Sequence, residues 1–519
     1  MNRIFSRLIC WLLLLCLTLV ALPAFAENVT DLLVVGILAN RTTEVRPLDP
    51  QDRDMISLYG VVYESLVTID DDGIPQPLLA ETWAESNNGK TWTFTLRENV
   101  FFSDGTPLTA WDVVASCEYL LNLANNEESP SRGFYQNIRY VVDSIKATDE
   151  RTVVVRGKRS YYGTLYSLTF PIVHASQVEL PNPLGTGPYM FTKFQAAMEM
   201  QLEPNPHWWQ AEPQVKNIMV RCYVNSKKLI SAYEFNEVDT VFTRSVSAAQ
   251  YKSGISSLSI HYATRQLETL MINHRSFPME SLKIRQAIRY AIDISRIGQN
   301  AYMGMTIDAS TPVSSGSWLY EEQAGSYTYN PEKAAELLAE EGWEDLDNDN
   351  ILDKPVGEKT KHLVLKLYVN EDPENDVRYE TANMIKEMLA AVKIRVNITS
   401  MTYEEMQTAL EANSFDLALT AFQMDIVPDP GFFLFKSNQQ NYGRYASGEM
   451  DDLLDTLRKS ANREDFAYTT REIQQRFAAD IPFICLFYRS GAVLTRKMYT
   501  TVRAIREYEL LRGIEAFGR

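Results

Sequence analysis

The sequence predicts an α/β fold built from more than one folding unit, and three observations carry that prediction. The chain has 519 residues, far more than a single hydrophobic core organises. Strand-like and helix-like patterns alternate from one end to the other. A dense run of breakers, Pro181-Asn182-Pro183-Leu184-Gly185-Thr186-Gly187-Pro188, interrupts them in the first half, as expected where a chain crosses between domains. With 45% hydrophobic and 23% charged residues, the composition is that of a globular protein, not a disordered one.

Taken in order, Leu32-Leu33-Val34-Val35-Gly36-Ile37-Leu38 is apolar throughout and reads as a buried strand. Tyr59 to Thr68 is apolar and tyrosine-rich, and Asp70-Asp71-Asp72-Gly73 then turns the chain. Thr91 to Arg97 alternates polar and apolar residues, the pattern of a half-buried strand. After the turn Ser103–Pro107, Thr109 is placed to cap a helix through Val113, Val114 and Leu120. Two strand-like runs flank Asp149-Glu150 between Val141 and Arg156. Strands around Tyr189–Phe194, Met198–Leu202 and Ile218–Tyr223 follow the breakers. One helix is expected over Ser281–Ile297, with Ile284, Ala287, Ile288, Ala291 and Ile292 on one face. Pro331 to Glu341 is another, with Asn330 as cap and Pro331 in its first turn. Leu363–Val369, Ile394–Ile398 and Leu417–Phe422 read as strands, with a helix from about Asn375 to Val392 between the first two. Helices around Met450–Lys459 and Arg463–Ala479 precede a last strand, Phe483–Tyr488.

The formal net charge is −17, which argues against nucleic acid as a partner, because such a surface repels phosphate. Arg3 and Arg7, the apolar run Leu8–Leu22 and the small-residue step Ala24-Phe25-Ala26 read as a cleavable signal peptide over residues 1–26, with Glu27 as the mature start. An uncleaved anchor is the competing reading, although the run is short for a span and Pro23 follows it. Cys16 follows Leu13-Leu14-Leu15 and lacks the small-residue context of a lipid-bearing cysteine. Cys117, Cys222 and Cys485 remain in the mature part; they form no CxxC motif and read as buried free thiols, or as one disulfide plus a free thiol. Five scattered histidines without HxxxH or HExxH spacing argue against a zinc enzyme. No GxSxG, P-loop or GxGxxG context appears.

Several segments together resemble the peptide/nickel class of ABC-transporter solute-binding proteins. They are Leu58–Val67, Pro77–Trp83, Trp92–Leu96, Phe101–Val113, the step Gly185-Thr186-Gly187-Pro188-Tyr189, Asn205–Trp209, Ile284–Asp293, Asp429-Pro430 and Ile481-Pro482-Phe483. They occur in the family's order over nearly the whole mature chain. The resemblance implies a two-lobed fold like that of periplasmic binding proteins, with an extra inserted domain and a ligand cleft between the lobes. Lobe I would be discontinuous, formed by residues 27–66, 186–266 and 489–519; the inserted domain would span 67–185 and lobe II 267–488. It further implies capture of a short peptide, closure of the lobes by hinge motion, and delivery by a monomer to ABC permease subunits, without catalysis.

The family's peptide binders hold the ligand's ammonium with an aspartate shortly before the Asp-Pro step, which places Asp425 in that role here. A desolvated carboxylate facing an ammonium makes a charge-assisted hydrogen bond worth roughly 1.5–3 kcal/mol. A carboxylate that only caps its own loop is the plainer alternative. Tyr59, Tyr63 and Trp111 are candidates for side-chain pockets, or for core packing. Asn441, Tyr442 and Arg444 lie where the family often puts cleft contacts. Some dipeptide binders of this class clamp the ligand carboxylate with an arginine in the loop after the strand Leu363–Val369. Here that loop, Asn370–Asp376, is acidic, which argues against a clamp there. Asp345-Leu346-Asp347-Asn348-Asp349-Asn350-Ile351-Leu352-Asp353 resembles the start of a calcium loop, with Asn350 where glycine is usual and no glutamate at its twelfth position. The family often carries an acidic turn here without metal, so neither a metal nor a cofactor is assigned from the sequence. Sensing instead of transport, a non-peptide solute such as a nickel chelate, and a secreted hydrolase using paired carboxylates are the rival readings.

Overall fold

The structure is a computed structural model that describes residues 32–126, 134–254, 257–325, 327–370, 377–496 and 505–516. The signal-peptide reading of residues 1–26 falls outside them. The chain starts with β1 (Leu32–Leu38), whose burial on both faces matches its unbroken apolar sequence. A short hairpin, β2 (Val67–Ile69) and β3 (Pro75–Pro77), closes around the Asp70–Gly73 turn, where Asp70 Oδ1 accepts the Ile74 N–H at 2.8 Å.

The next strands form a sheet of their own. β4 (Ala80–Ser86), β5 (Thr91–Leu96), β6 (Val142–Ala147) and β7 (Thr152–Gly157) pair antiparallel in the order β4-β5-β7-β6. Along β5 the side chains of Trp92, Phe94 and Leu96 are buried and the threonines between them only partly so, as the alternating sequence requires. The helix Ala110–Asn125 starts where Thr109 predicts. The Thr109 N–H donates to Asp112 Oδ2 at 2.8 Å, half of a capping box.

Beyond the breaker cluster come β8 (Tyr189–Gln195), β9 (Glu199–Pro204), β10 (Asn217–Tyr223), β11 (Thr240–Thr243), β12 (Leu258–Ile272), β13 (Thr306–Asp308), the hairpin β14 (Asp353–Val356) and β15 (Lys359–His362), then β16 (Val364–Asn370), β17 (Arg395–Met401), β18 (Leu417–Gln423) and β19 (Phe483–Thr495). One eleven-stranded sheet takes most of these with β1, in the order β17-β16-β18-β12-β19-β11-β1-β10-β9-β8, with β13 beside β19. Its two ends are the two lobes. β16, β17 and β18 are parallel to one another, as β1, β10 and β11 are. The antiparallel pair β12 and β19 joins them: Ala492–Thr495 of β19 pairs with β11, whereas Gln266–Ile272 of β12 pairs with β18. Between Ala263 and Leu267 the pairing of β12 with β19 slips, a bulge at the middle of the shared ribbon.

Three features differ from the sequence expectation. The helix expected over Ser281–Ile297 is two, Leu282–Ala291 and Ile294–Asn300, because Asp293 stops the first and caps the second, accepting the Arg296 N–H at 3.0 Å. The last strand does not end at Tyr488 but runs to Thr495, buried throughout; Arg489-Ser490-Gly491 reads as a strand end only without its neighbours. β12, the longest strand, is not announced by the sequence, whose residues Thr264-Arg265-Gln266 interrupt its apolar pattern. Cys117, Cys222 and Cys485 are all free thiols. Among the described residues no helix is long and apolar enough to cross a membrane.

Candidate ligand-binding site

A cavity of about 880 Å³ lies where the lobes and the inserted unit meet, within the size range of small-ligand sites. Its walls come from distant parts of the chain: Tyr63 and Glu64, Asn137, Arg265 and Gln266 at the β12 bulge, Thr420–Ile426 at the end of β18, Tyr442, and Tyr508, Glu509 and Leu511–Gly513 of the C-terminal segment.

Asp425 stands two residues past β18, at the carboxyl end of a parallel strand, where open α/β sheets place their ligands. Its Oδ1 accepts from Asn137 Nδ2 at 2.8 Å, a bond between the inserted unit and the second lobe, and from the Val427 N–H at 3.3 Å. Burial pushes its carboxyl above the usual range, with the charge of Arg265 and these hydrogen bonds opposing. A carboxylate whose charge its surroundings disfavour gains from an incoming cation.

Arg265 is held by the C-terminal segment. Its N–H donates to Glu507 Oε2 at 2.9 Å, its Nε to the Glu507 carbonyl at 3.3 Å, and its guanidinium lies 5.4 Å from the Tyr508 ring centre. Glu507 is buried and pairs with Arg53 at 2.6 Å and Arg244 at 3.5 Å, and Arg244 also pairs with buried Asp54 at 2.8 Å. Arg53 donates to Gln423 Oε1 at 2.8 Å, and Gln423 Nε2 donates to Tyr508 OH at 2.9 Å, so Gln423 of the second lobe is tied to the first twice. On another wall Arg378 grips buried Glu268 with two nitrogens, at 3.0 and 3.1 Å, and reaches Asn370 Oδ1 at 2.7 Å. Glu64 accepts from Trp209 Nε1 at 3.0 Å and Thr186 Oγ1 at 2.9 Å; burial raises its carboxyl to about 7.

Of the residues singled out from sequence, Asp425, Tyr63 and Tyr442 line this cavity. Tyr63 donates its hydroxyl to the Pro183 carbonyl at 3.0 Å, and Tyr442 OH accepts from Gln407 Nε2 at 2.7 Å. The other four do not line it. Tyr59 is only 1% exposed and packs behind the wall, edge-on to Tyr63 with ring centres 6.0 Å apart. Trp111 is 52% exposed on the first turn of the helix Ala110–Asn125. Asn441 is buried and shapes its own loop, donating to the Phe435 and Tyr445 carbonyls at 3.2 and 2.7 Å. Arg444 takes a left-handed backbone, φ +55°, and donates to Asn413 Oδ1 and the Glu411 carbonyl, each at 3.2 Å.

Sequence reading missed Glu64, Asn137, Arg265, Arg378 and Gln423. Arg378 stands two residues past the acidic loop, whose residues 371–376 lie outside the described ones, and brings a guanidinium to the cavity that the loop itself does not offer. The polar break in β12 was the one signal for Arg265; nothing local marks Asn137.

One continuous sheet with parallel strands towards each end, a separate four-stranded sheet, and a cavity walled by both ends of the large sheet define a two-lobed solute-binding fold. The chain belongs to the bacterial extracellular solute-binding proteins, family 5, whose middle-region model matches residues 75–443. It is 25% identical over 506 residues to the probable D,D-dipeptide-binding periplasmic protein DdpA of Escherichia coli K12, covering 91% of this chain and 92% of that protein. Among solved structures it is similar to the oligopeptide-binding protein AppA from Bacillus subtilis in complex with a nonapeptide, with a TM-score of 0.66, 21% identity, and coverage of 93% of this chain and 98% of that one. It is also similar to NikA from Brucella suis in complex with Fe(III)-EDTA, with a TM-score of 0.77, 20% identity, and coverage of 94% and 99%.

Proposed function

We propose that the protein captures short peptides in this cavity and hands them to the permease of an ABC importer, acting outside the cytoplasm as a monomer after removal of residues 1–26. Its output is closure, not covalent chemistry, and neither a lipid anchor nor nucleic acid enters. The observation that carries the peptide reading is Asp425: a carboxylate presented to the cavity just past β18, with Asn137 as a side-chain donor and its ionisation disfavoured by its surroundings, suits a peptide's terminal ammonium. The flanking strand end offers main-chain groups to an extended ligand, which favours recognition without strict sequence preference. The peptide binders among its relatives support the same reading.

A non-peptide solute such as an anionic chelate is the second reading. Arg265 favours it: among the described residues no carboxylate forms an ion pair with this cavity-wall guanidinium, which bonds to a backbone carbonyl and a ring face. Native mass spectrometry of the purified protein separates the two, since a ladder of peptide masses supports the first and a single metal-containing mass the second. Asp425→Asn should weaken peptide binding about tenfold or more with the far-ultraviolet circular dichroism unchanged. Equal affinity of the parent protein for free and N-acetylated peptides removes Asp425 from the ammonium role.

A further inference from the structure

We propose that Arg265 seats the carboxyl end of the ligand, and that the cavity takes peptides of two or three residues with both termini free. This rests on the peptide reading given above and narrows its substrate class.

The backbone fixes where Arg265 stands. It lies in the slip of β12 between Ala263 and Leu267, on the cavity wall. Its N–H donates to Glu507 Oε2 at 2.9 Å and its carbonyl accepts from the Met424 N–H at 2.8 Å, so the residue is clamped between the C-terminal segment and the end of β18. The side chain is oriented by the same segment. Its Nε donates to the Glu507 carbonyl at 3.3 Å and its guanidinium lies 5.4 Å from the Tyr508 ring centre, two contacts that hold the plane of the group. Among the described residues neither terminal nitrogen donates to a protein acceptor. Those two nitrogens form the edge that grips a carboxylate with parallel hydrogen bonds.

The other arginines on the wall are committed elsewhere. Arg378 holds Glu268 with two nitrogens, and Arg512 pairs with Asp71 at 2.9 Å and Glu509 at 3.5 Å. The carboxylate role that the acidic loop Asn370–Asp376 cannot fill therefore falls to an arginine far from it in the chain.

The spacing from Arg265 to Asp425 sets the length of the ligand. The Met424–Arg265 bond puts Asp425 one residue past the position opposite Arg265. With strands about 4.8 Å apart and a rise of about 3.4 Å per residue, the two backbones are roughly 6 Å apart. The charge of Arg265 acts on the Asp425 carboxyl, yet the two form no ion pair among the described contacts, which leaves room for a ligand between them. An extended peptide advances at most about 3.3–3.6 Å per residue. Two or three residues span from an ammonium on Asp425 to a carboxylate on Arg265, once the reach of both side chains is added, whereas an extended hexapeptide of about 20 Å overshoots. The rest of the 880 Å³ cavity, with Met406, Leu410 and Phe432 on its wall, takes the ligand's side chains.

Native mass spectrometry of the full chain stripped of ligand, offered random-sequence peptide pools, tests this. Free dipeptide and tripeptide pools should bind. Amidating their C-termini should weaken binding about tenfold or more, and a free hexapeptide pool should bind at least about tenfold more weakly than the dipeptides. Arg265→Gln should erase the preference for acid over amide, and Arg265→Lys, which keeps the charge without the planar fork, should restore part of it. The comparison of acid with amide on the parent protein needs no variant, so misfolding of either leaves the test intact. Amides bound as tightly as acids, a preference for hexapeptides, or an undiminished acid preference in folded Arg265→Gln overturns the proposal and leaves the peptide reading standing. Uptake of a metal chelate such as Fe(III)-EDTA with no binding of any peptide pool overturns both.

Discussion

Two buried carboxylates, Glu268 and Glu64, illustrate how surroundings set the behaviour of a residue. Glu268 is buried, which opposes its charge, yet Arg378 and Arg489 together with hydrogen bonds more than offset this and hold its carboxyl below the ordinary range. Replacing it with glutamine leaves two guanidiniums facing an uncharged group. Glu268→Gln is expected to cost about 3–5 kcal/mol at pH 7, read from the urea midpoint. Because the folded-state pKa is depressed, Glu268 stabilises the fold above its unfolded pKa and loses that contribution as pH falls through the folded value. The gap between variant and parent should therefore narrow below about pH 4.5. Glu64 runs the other way. Its carboxyl is raised from 4.5 to about 7, so the folded state holds the proton more tightly and stability falls as pH rises between those values. The fall attributable to Glu64 is about 3 kcal/mol from the linkage of pKa to stability. Glu64→Gln should flatten the melting temperature between pH 5 and 7. An unchanged slope would show that other groups carry it.

At the scale of the element, the crossover after Asn182 works by close approach. A Cβ on Gly185 would lie 2.2 Å from the Val62 carbonyl oxygen, and one on Gly187 2.8 Å from those of Val61 and Val62. The same segment pairs by backbone bonds, Gly187 N–H to Val62 carbonyl at 2.9 Å and Tyr189 N–H to Val61 carbonyl at 3.1 Å. Glycine is required here for space, not for an unusual φ. Gly185→Ala is expected to cost about 1–3 kcal/mol in thermal unfolding, the range for overpacking. Elements with one-sided or fully apolar patterns were readable in advance: β1, β5, the helix Ala110–Asn125 and the helix Pro331–Glu340 start and stop close to where cap residues and alternation put them. β12 and the second half of β19 were not, because their polar residues, Thr264-Arg265-Gln266 and Arg489-Ser490, are satisfied by contacts outside the local sequence: Thr264 Oγ1 donates to the Arg489 carbonyl at 2.8 Å.

At the scale of the molecule, two kinds of contact hold the lobes together around the cavity. One is polar: Asn137 to Asp425 and Arg53 to Gln423 to Tyr508. The other is an aromatic seam between the inserted unit and the second lobe, where Phe466 packs on Tyr161, Tyr162 and Tyr166 and Trp318 Nε1 donates to Tyr166 OH at 3.2 Å. Because the cavity draws walls from both lobes, a ligand touching both favours the closed form over any open one. Small-angle scattering should show a smaller radius of gyration once the solute recovered by mass spectrometry is added to protein stripped of it; an unchanged radius would count against closure as the output.

Local pattern and motif order determined the class of this protein and most of its strands and helices, because apolar period, caps and breakers are written within a few residues of each other. Only the tertiary structure decided which side chains meet in the cavity. Asn137 and Asp425 are 288 residues apart, and Arg265 reaches the wall because a bulge turns it out of a strand. Contacts of that kind are fixed by strand pairing across the whole chain, so residues as promising in sequence as Trp111 and Arg444 stand elsewhere.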